Sequence, residues 1–571
     1  MRPEIHSPPR AEVLSRIRSG APVEVLIIGG GINGAGLLRE LALQGIDVLL
    51  VEQSDYGSGC SAASTRIIHG GLRYLENGEF RLVRESLQER ERLLRNAPHY
   101  VRPLPMTIPI MSWGRGLGHA ARKFFGLSSK PSDRGAVVVK LGLTLYDVLV
   151  GPNRQMPRHR FHSRRAALAE RPGLNPKIVC TATYYDARIS YAERLCLELV
   201  LDASAAHAGV LALNYAQVTG ADKDVVYVED RLSRETLVVR PSIVVNASGP
   251  WIDFTNRALR ADTDFIGGTK GAHLVIDHPE LHRATGGHML YFANADGRIC
   301  IFYPVEDRVI VGSTDLPTDD AESVCSDEEI DYLLASVRQV FPSIQLDRSH
   351  VVFTFSGVRP LPTMAAATPG QISRDHSAPR TEPEGVTFPV YSLVGGKWTT
   401  FRAFAQQVTD QLLAELGRER RAFSLDVPIG GGRDYPRTPE DRDRLLEAWH
   451  AESGQPRERL ARLLERYGTR GRDVAAYCAS APDRPLQHAP EYSERELAFI
   501  AEHEQVGHLD DLLLRRTLLG LLGRCTVALI EECAAVIGPV LGWDAARIAD
   551  ETQRMIDLLE RRHGMALRAR G

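Results

Sequence analysis

Residues Val23 to Glu52, VEVLIIGGGINGAGLLRELALQGIDVLLVE, leave a chain few ways to fold. The run Val23–Ile28 is short, β-branched and stopped by glycine, which predicts a buried parallel strand. Gly29, Gly31 and Gly34 follow with the spacing G-x-G-x-x-G. In a dinucleotide fold the first glycine makes the tight turn, the second admits a pyrophosphate to the backbone, and the third lets the next helix pack on the strand. Leu37, Leu38, Leu41 and Leu43 give that helix an apolar face, Gly45 ends it, and Asp47 to Val51 predict a second strand closing on Glu52. The helix start offers free N–H groups and a positive dipole end to phosphate. An acid about twenty residues past the glycines is where a ribose hydroxyl is held. The order of these parts predicts a dinucleotide site without separating NAD from FAD.

A chain of 571 residues has room for two or three domains. With 69 basic and 72 acidic side chains the formal charge is −3, which gives no basis for a nucleic-acid partner. The eight cysteines, Cys60, Cys180, Cys196, Cys300, Cys325, Cys478, Cys525 and Cys533, form no C-x-x-C pair. That spacing argues against a disulfide framework or a zinc site and predicts reduced, mostly buried thiols in a cytoplasmic protein with no metal. Residues 1–22 carry no apolar core long enough for a signal peptide and read as a flexible leader. Leu518 to Leu541, the greasiest stretch, is broken by Arg524, Glu531 and Glu532, so no spanning helix is expected.

After Glu52 the segment QSDYGSGCSAASTRIIHGGLRYL is dense in small and hydroxyl residues, suited to donate to a second part of a cofactor. Within it His69 stands beside Gly70 and Gly71, where backbone can approach a ligand. A helix is predicted from about Phe80 to Asn96, with Arg81 and Glu85 paired at helical spacing. Between Met111 and Lys140 lie Arg115, Arg122, Lys123, Lys130, Arg134 and Lys140 against the single acid Asp133, interleaved with Trp113, Leu117, Phe124, Phe125 and Leu127. This composition suits an anionic membrane surface, or else a solvated insertion.

Ile189 to Ala208 predicts a helix, then short alternating strands with Asp222 and Asp230 in their turns. Ser242 to Trp251, SIVVNASGPW, repeats the strand-then-glycine logic of the opening. Thr263 to Phe355 alternates apolar and polar residues, which predicts an antiparallel, substrate-side sheet carrying Lys270, His273 and Asp315 near strand ends. FSGVRPL brings Arg359, ISRDH brings Arg374, and YSLVGGKWTTFRAF brings Lys397 at a second helix start. Beyond about Arg418, leucines three or four apart, as in Arg457 to Leu464 and Leu512 to Leu522, predict a helical domain. Gly430 to Pro436 reads as the linker into it.

The segments IIGGGINGAG, STRIIHGGLRYLENGEFRLVRE, VVNASGPW, VGSTD, SGVRPL, ISRDH and GGKWTT resemble those of the FAD-dependent glycerol-3-phosphate dehydrogenases, membrane-associated enzymes that reduce quinone. The resemblance implies an α/β chain: a glutathione-reductase-like FAD-binding Rossmann domain with an inserted antiparallel-sheet substrate domain and an all-helical C-terminal domain. It divides the chain into the leader, an oxidoreductase region over 23–425 and a helical domain over 426–571. FAD-binding parts fall at about 23–100, 177–262 and 355–425, and substrate or membrane parts at about 101–176 and 263–354. It implies non-covalent FAD, oxidation of sn-glycerol 3-phosphate at C2 to dihydroxyacetone phosphate, and electrons passed to a membrane quinone. The partner it implies is an anionic membrane surface, met peripherally from the cytoplasm; a homodimer is compatible with the family and not required by the residue pattern. Arg66 stands where bacterial members usually carry lysine.

The cofactor residues the resemblance implies are Gly29, Gly31, Ile32, Asn33, Gly34, Glu52 and Gln53; Ser61, Ser64, Thr65, His69, Gly71 and Leu72; Val218, Ala247, Ser248, Gly249 and Trp251; and Gly396, Lys397 and Thr399. In alcohol oxidation the flavin takes the hydride and the protein supplies orientation and charge. Arg359 and Arg374 suit a phosphate dianion because a guanidinium fork matches its oxygens, whereas Lys270 and Lys397 act as point charges. Arg359 and Lys270 would also stabilise a developing alkoxide. His69 is the expected base, with an ordinary pKa of about 6.5, and His273 is the second choice. Arg73 and Tyr74 would frame the pocket. Three alternatives stay open: an oxidase that gives its electrons to O2, an amine or amino-acid oxidase on the same architecture, and a flavin-binding protein without turnover.

Overall fold

The computed structural model describes residues 8–75, 79–114, 135–150, 155–294, 298–363 and 375–567, the side chains of Arg73 and Tyr74 excepted. Val23–Ile28 is the central strand of a six-stranded sheet ordered Arg380–Thr381, Val390–Ser392, Pro241–Asn246, Val23–Ile28, Val48–Val51, Leu211–Leu213. All neighbours are parallel except the edge strand Arg380–Thr381. Val25, Leu26 and Ile27 are wholly buried, as a strand covered on both faces requires. The helix Ile32–Gln44 packs on the helices Ala192–Ala206 and Phe401–Glu415. From Val23–Ile28 the chain passes first to Val48–Val51 on one side and later to Pro241–Asn246 on the other. Ligands bind at the carboxyl ends of such strands, where the order reverses. A three-stranded antiparallel sheet, Ala216–Asp222, Val225–Asp230 and Thr236–Val239, flanks this site, with Asp222 and Asp230 closing their strands as expected.

The sheet expected over Thr263 to Phe355 is made of the strands Ile266–Ile276, Met289–Ala293, Ile299–Val305, Arg308–Gly312 and Val351–Pro362, antiparallel to one another. It also takes up Val101–Ile110 and Cys180–Ile189, which lie far earlier in the chain. Pro103, Pro105 and Pro109 disguise the first of these. Successive N–H groups alternate sides along a strand, so prolines at alternate positions remove donors from one edge only. The full ladder to Cys180–Ile189 survives, while Met289–Ala293 pairs only at Met289↔Met106 and Leu290↔Thr107.

Three expectations are revised. The leader is not loose from residue 8 onward: Arg10–Arg18 is a helix that buries Val13, Leu14 and Ile17. Arg10 donates to Asn214 Oδ1 at 3.0 Å and to Asp230 at 2.5 Å. The linker is a packed joint. Gly431 and Gly432 are buried, and a Cβ on either would collide with the carbonyl of Tyr467 or Asn96. The C-terminal domain holds the helices Pro439–Ser453, Arg457–Tyr467, Gly471–Ala479, Glu494–His503, Val527–Val540 and Ala545–His563. Leu512 to Leu522, however, is no regular helix: Asp511–Arg516 is a wide π turn, and Arg515 and Arg516 both reach back from it to Asp55. Among the described residues no helix is long and apolar enough to cross a membrane.

Candidate functional site

At the carboxyl ends of the parallel strands opens a cleft of about 1330 Å³, walled by both sheets and by C-terminal residues including His508, Arg515 and His563. Of the expected cofactor residues, Gly29, Gly31, Ile32, Asn33, Glu52, Gln53, Ser61, Val218, Ala247, Ser248, Gly249, Trp251, Gly396 and Lys397 line it. Gly29 has φ +111°, and a Cβ there would stand 2.6 Å from the Ala247 carbonyl oxygen. Gly396 has φ +85°, with a Cβ position 2.8 Å from Asn33 Nδ2. Both are conformations that favour glycine and bring backbone close to a ligand. Gly34 lies behind, where a side chain would strike the Gly29 carbonyl.

Ser61 Oγ accepts the Ile32 N–H at 3.0 Å at the helix start. Asn33 Oδ1 is buried with no hydrogen-bond partner, an acceptor aimed at a donor the chain does not supply. Glu52 accepts from the Gly30 N–H at 2.6 Å and the Ser54 N–H at 2.8 Å. Burial pushes its pKa up against these two bonds. Close-approach glycines, an orphaned acceptor and a carboxylate at the second strand end fit a dinucleotide such as FAD.

The other cofactor candidates stand beside the cleft. Ser64 Oγ accepts the Arg66 N–H at 3.3 Å, Thr65 offers its carbonyl to the Tyr303 hydroxyl at 3.0 Å, and Thr399 is buried. Arg66 is itself buried in an ion pair with Glu193. Gly71 and Leu72 lead into the short turn Leu72–Leu75, which carries Arg73 and Tyr74. Arg374 lies outside the described residues.

Strand alternation sorts the cations. Ile266–Ile276 pairs with Val351–Pro362 so that Thr269 meets Arg359, Gly271 meets Gly357 and His273 meets Phe355. Paired residues and every second residue share a face, so Arg359 and His273 lie on one face and Lys270 on the other. On the first, the His273 ring stacks on Phe355 with centroids 4.7 Å apart, and its Nε2 is 3.2 Å from Thr65 Oγ1. Burial, with the charges of Arg359 and Arg66, pushes the His273 pKa down to about 3. Arg359 lies across Gly271, where any Cβ would collide with the guanidinium, and donates to Asp315 Oδ1 and Ser313 Oγ at 3.0 Å each. On the second face Lys270 is 2.8 Å from Glu329 Oε2 and donates to the Val324 carbonyl at 3.0 Å. Glu329 also accepts from Thr314 Oγ1 at 2.6 Å. Lys270 therefore braces the turn that carries Asp315 and Ser313 from behind; like Arg359, His273 and His69, it is not among the residues lining the cleft.

The helix Phe80–Asn96 gathers the rest. Ser86 accepts from Lys397 Nζ at 2.7 Å, Glu89 pairs with Arg402 at 2.7 Å, and Arg90 pairs with Asp186 at 2.6 Å. Asp186 Oδ2 stands 3.8 Å from His69 Nδ1, and the His69 side chain is 43% exposed. Asp186 and Ser86 were missed in the sequence. The only signal for Asp186 was an acid inside the apolar strand Cys180–Ile189, a position that calls for partners.

Residues 24–411 match the FAD-dependent oxidoreductase family, and residues 423–548 match the C-terminal domain of alpha-glycerophosphate oxidase. A glycerol-3-phosphate dehydrogenase from Synechocystis is 36% identical over 527 residues, covering 87% of this chain and 89% of the relative. A D-erythritol 1-phosphate dehydrogenase from Brucella abortus is 31% identical over 507 residues, covering 86% and 94%. The fold superposes on the crystal structure of the Bacillus halodurans glycerol-3-phosphate dehydrogenase complexed with FAD with a TM-score of 0.74 at 23% identity, covering 96% of this chain and 97% of that one.

Proposed function

The chain belongs to the FAD-dependent glycerol-3-phosphate dehydrogenase family, and from that premise we propose that it oxidises sn-glycerol 3-phosphate at C2 to dihydroxyacetone phosphate. The observation that carries this reading is Arg359, fixed across Gly271 on the face turned to the nucleotide-binding loop. A guanidinium already oriented by Asp315 and Ser313 meets a phosphate dianion without losing its own side-chain freedom on binding. The names of the two relatives denote phosphorylated polyols, the chemistry such an anchor recognises.

FAD supplies the hydride acceptor when bound. The chain's residues do the rest. Arg359 and Lys397 hold the phosphate and fix C2, a role the sequence also gives to Arg374. His69 accepts the hydroxyl proton as the hydride leaves. His273, whose protonated form is opposed by burial and by two guanidinium groups, is the weaker base.

We assign the electrons to a membrane quinone. The helix Ala136–Val150 turns Val137, Leu141, Leu145 and Val148 outward, with Leu141 73% and Val148 70% exposed, and Trp113 is exposed close to its start. An apolar stripe of this kind suits the interfacial region of a bilayer. Of the cations expected there, Lys140 is placed over the Phe161 ring, while Arg115, Arg122, Lys123, Lys130 and Arg134 lie outside the described residues. The second reading, transfer to O2, draws on the oxidase-type C-terminal domain.

The test is anaerobic mixing of the holoenzyme with sn-glycerol 3-phosphate, followed by a quinone in vesicles or by air. Bleaching of the flavin and reoxidation by quinone are expected. Peroxide formed at the rate of turnover would favour the oxidase, and a flavin that stays oxidised would leave a binding protein without turnover.

A further inference from the structure

We propose that Asp186 and Tyr146 are positioning residues for His69, the buried carboxylate and the tyrosine hydroxyl together aligning the Nδ1 side of the ring so that Nε2 receives the substrate proton. The inference rests on the reading of His69 as the base. The two carboxylate oxygens of Asp186 are used differently. Oδ1 accepts three hydrogen bonds, from the Gly70 N–H at 2.9 Å, Arg90 at 2.6 Å and the Tyr146 hydroxyl at 2.6 Å. Oδ2 is turned to His69 at 3.8 Å, an electrostatic contact longer than a hydrogen bond, of the kind that tightens when substrate is bound. Asp186 is only 1% exposed, so its position is set by those three donors. Gly70 is required by the same arrangement, since a Cβ there would collide with the Tyr146 hydroxyl and with Leu87.

Charge points the same way. The hydrogen-bonded cluster behind His69 contains the carboxylates of Asp186 and Glu91 and the guanidinium of Arg90, which pairs with Glu91 at 2.8 Å. Those three groups sum to one negative charge, offset in part by Arg188 on the same strand face, and Asp186 Oδ2 is the carboxylate oxygen that faces an imidazolium at His69. Tyr146 comes from the helix Ala136–Val150 and Tyr184 from the same strand as Asp186; burial pushes both hydroxyls well above their ordinary pKa, so they act as neutral groups. Arg188, two residues along that strand, shares the face of Asp186. Burial opposes ionisation of Asp186, yet His69, Arg90 and Tyr146 together hold its pKa below the usual carboxylate value. In turnover the hydroxyl proton passes to Nε2, and the Nδ1–H faces Oδ2. Asp186 exchanges no proton.

The experiment measures the rate of flavin reduction by sn-glycerol 3-phosphate in the anaerobic holoenzyme across the pH range in which histidine titrates. Asp186→Asn should slow the limiting rate roughly ten- to a hundredfold, the scale on which loss of a carboxylate that orients a histidine acts at metal sites, and move the acid limb to lower pH because the imidazolium loses its counter-charge. Tyr146→Phe keeps the packing and removes one donor from Asp186. Its carboxylate then holds the imidazolium proton more firmly, so the acid limb moves to higher pH with a smaller, several-fold loss of rate. Substrate saturation stays where it was in both. Shifts of opposite sign are not produced by general loosening of the fold. An acid limb unmoved in both variants overturns the inference. His69→Asn separates the two failures: if it abolishes the limb while the other variants leave it in place, the positioning roles fall and the base stands. If His69→Asn keeps the limb, the base reading falls and takes the positioning roles with it.

Discussion

Arg516 sets both terminal nitrogens on the carboxylate of Asp55, at 2.5 Å and 3.0 Å, and neither side chain reaches solvent. Asp55 lies three residues beyond Glu52, so the C-terminal domain grips the chain just where the dinucleotide strand ends. Arg515 reaches the same carboxylate at 2.8 Å, and Asn214 donates to it at 3.1 Å. The fork geometry makes the link directional as well as strong.

Removing the carboxylate takes the bidentate partner from Arg516, whose remaining ion pair, to Glu504, is longer at 3.5 Å, and leaves Arg515 with Asp510 and Asp511. Asp55→Ala is expected to cost about 3–5 kcal/mol, the usual penalty for breaking a buried pair from one side. The check is thermal melting with and without added FAD. Cofactor should restore less stability to the variant than to the parent, because the strand end beside Glu52 is loosened.

Gly271→Ala tests the anchor without touching a charge. The methyl group pushes into the guanidinium of Arg359, displacing it from the orientation that Asp315 and Ser313 set. The substrate concentration for half-maximal flavin reduction should rise about tenfold or more, the scale of one weakened charged hydrogen bond. Flavin content should stay normal. Arg359→Lys should move the same quantity in the same direction, since an ammonium cannot replace the fork.

Leu141→Glu with Val148→Glu places two carboxylates on the exposed stripe of the helix Ala136–Val150. Co-flotation with anionic vesicles should be lost, while turnover with a water-soluble acceptor persists. Unchanged flotation would remove this helix from the membrane reading.

Acid should destabilise the protein in a definite window. Burial lowers the pKa of His273 to about 3, of His288 to about 4 and of His563 to about 4. The unfolded chain protonates these rings below about 6.5 while the folded one does not, so folding stability is complete above that value and falls as pH drops towards about 4. For the wholly buried His273 the loss at about pH 5 is on the order of 2 kcal/mol. Glu551, held down to about 2 against its burial chiefly by His508, adds a second loss at lower pH, from about 4.5 downward. Melting temperatures of the holoenzyme at neutral and mildly acidic pH check the sign.

Local pattern carried the dinucleotide unit, because every step from Val23 to Glu52 is decided by near neighbours, and the structure places each step where the pattern put it. The leader helix is legible too, in the spacing of Val13, Leu14 and Ile17. Lys270 and His273 stand three residues apart, an odd number, so a strand turns them to opposite faces. That conclusion was available as soon as their segment was read as strand. The strand Val101–Ile110 was not available, because prolines argue against a central strand and only its partner over 180–189 reveals that one edge remains intact. Asp186 depends on contacts more than a hundred residues away at Gly70 and nearly as far at Arg90, which no short window contains.

The helix Phe80–Asn96 acts as a gear cut to a fixed pitch. Ser86, which meets Lys397, and Arg90, which meets Asp186 behind His69, are separated by a single helical turn. One residue inserted between them would swing the two side chains about 100° apart around the axis and lengthen the gap by about 1.5 Å. The ammonium and the imidazole would lose their register together. Those four residue steps set the spacing of both contacts at once.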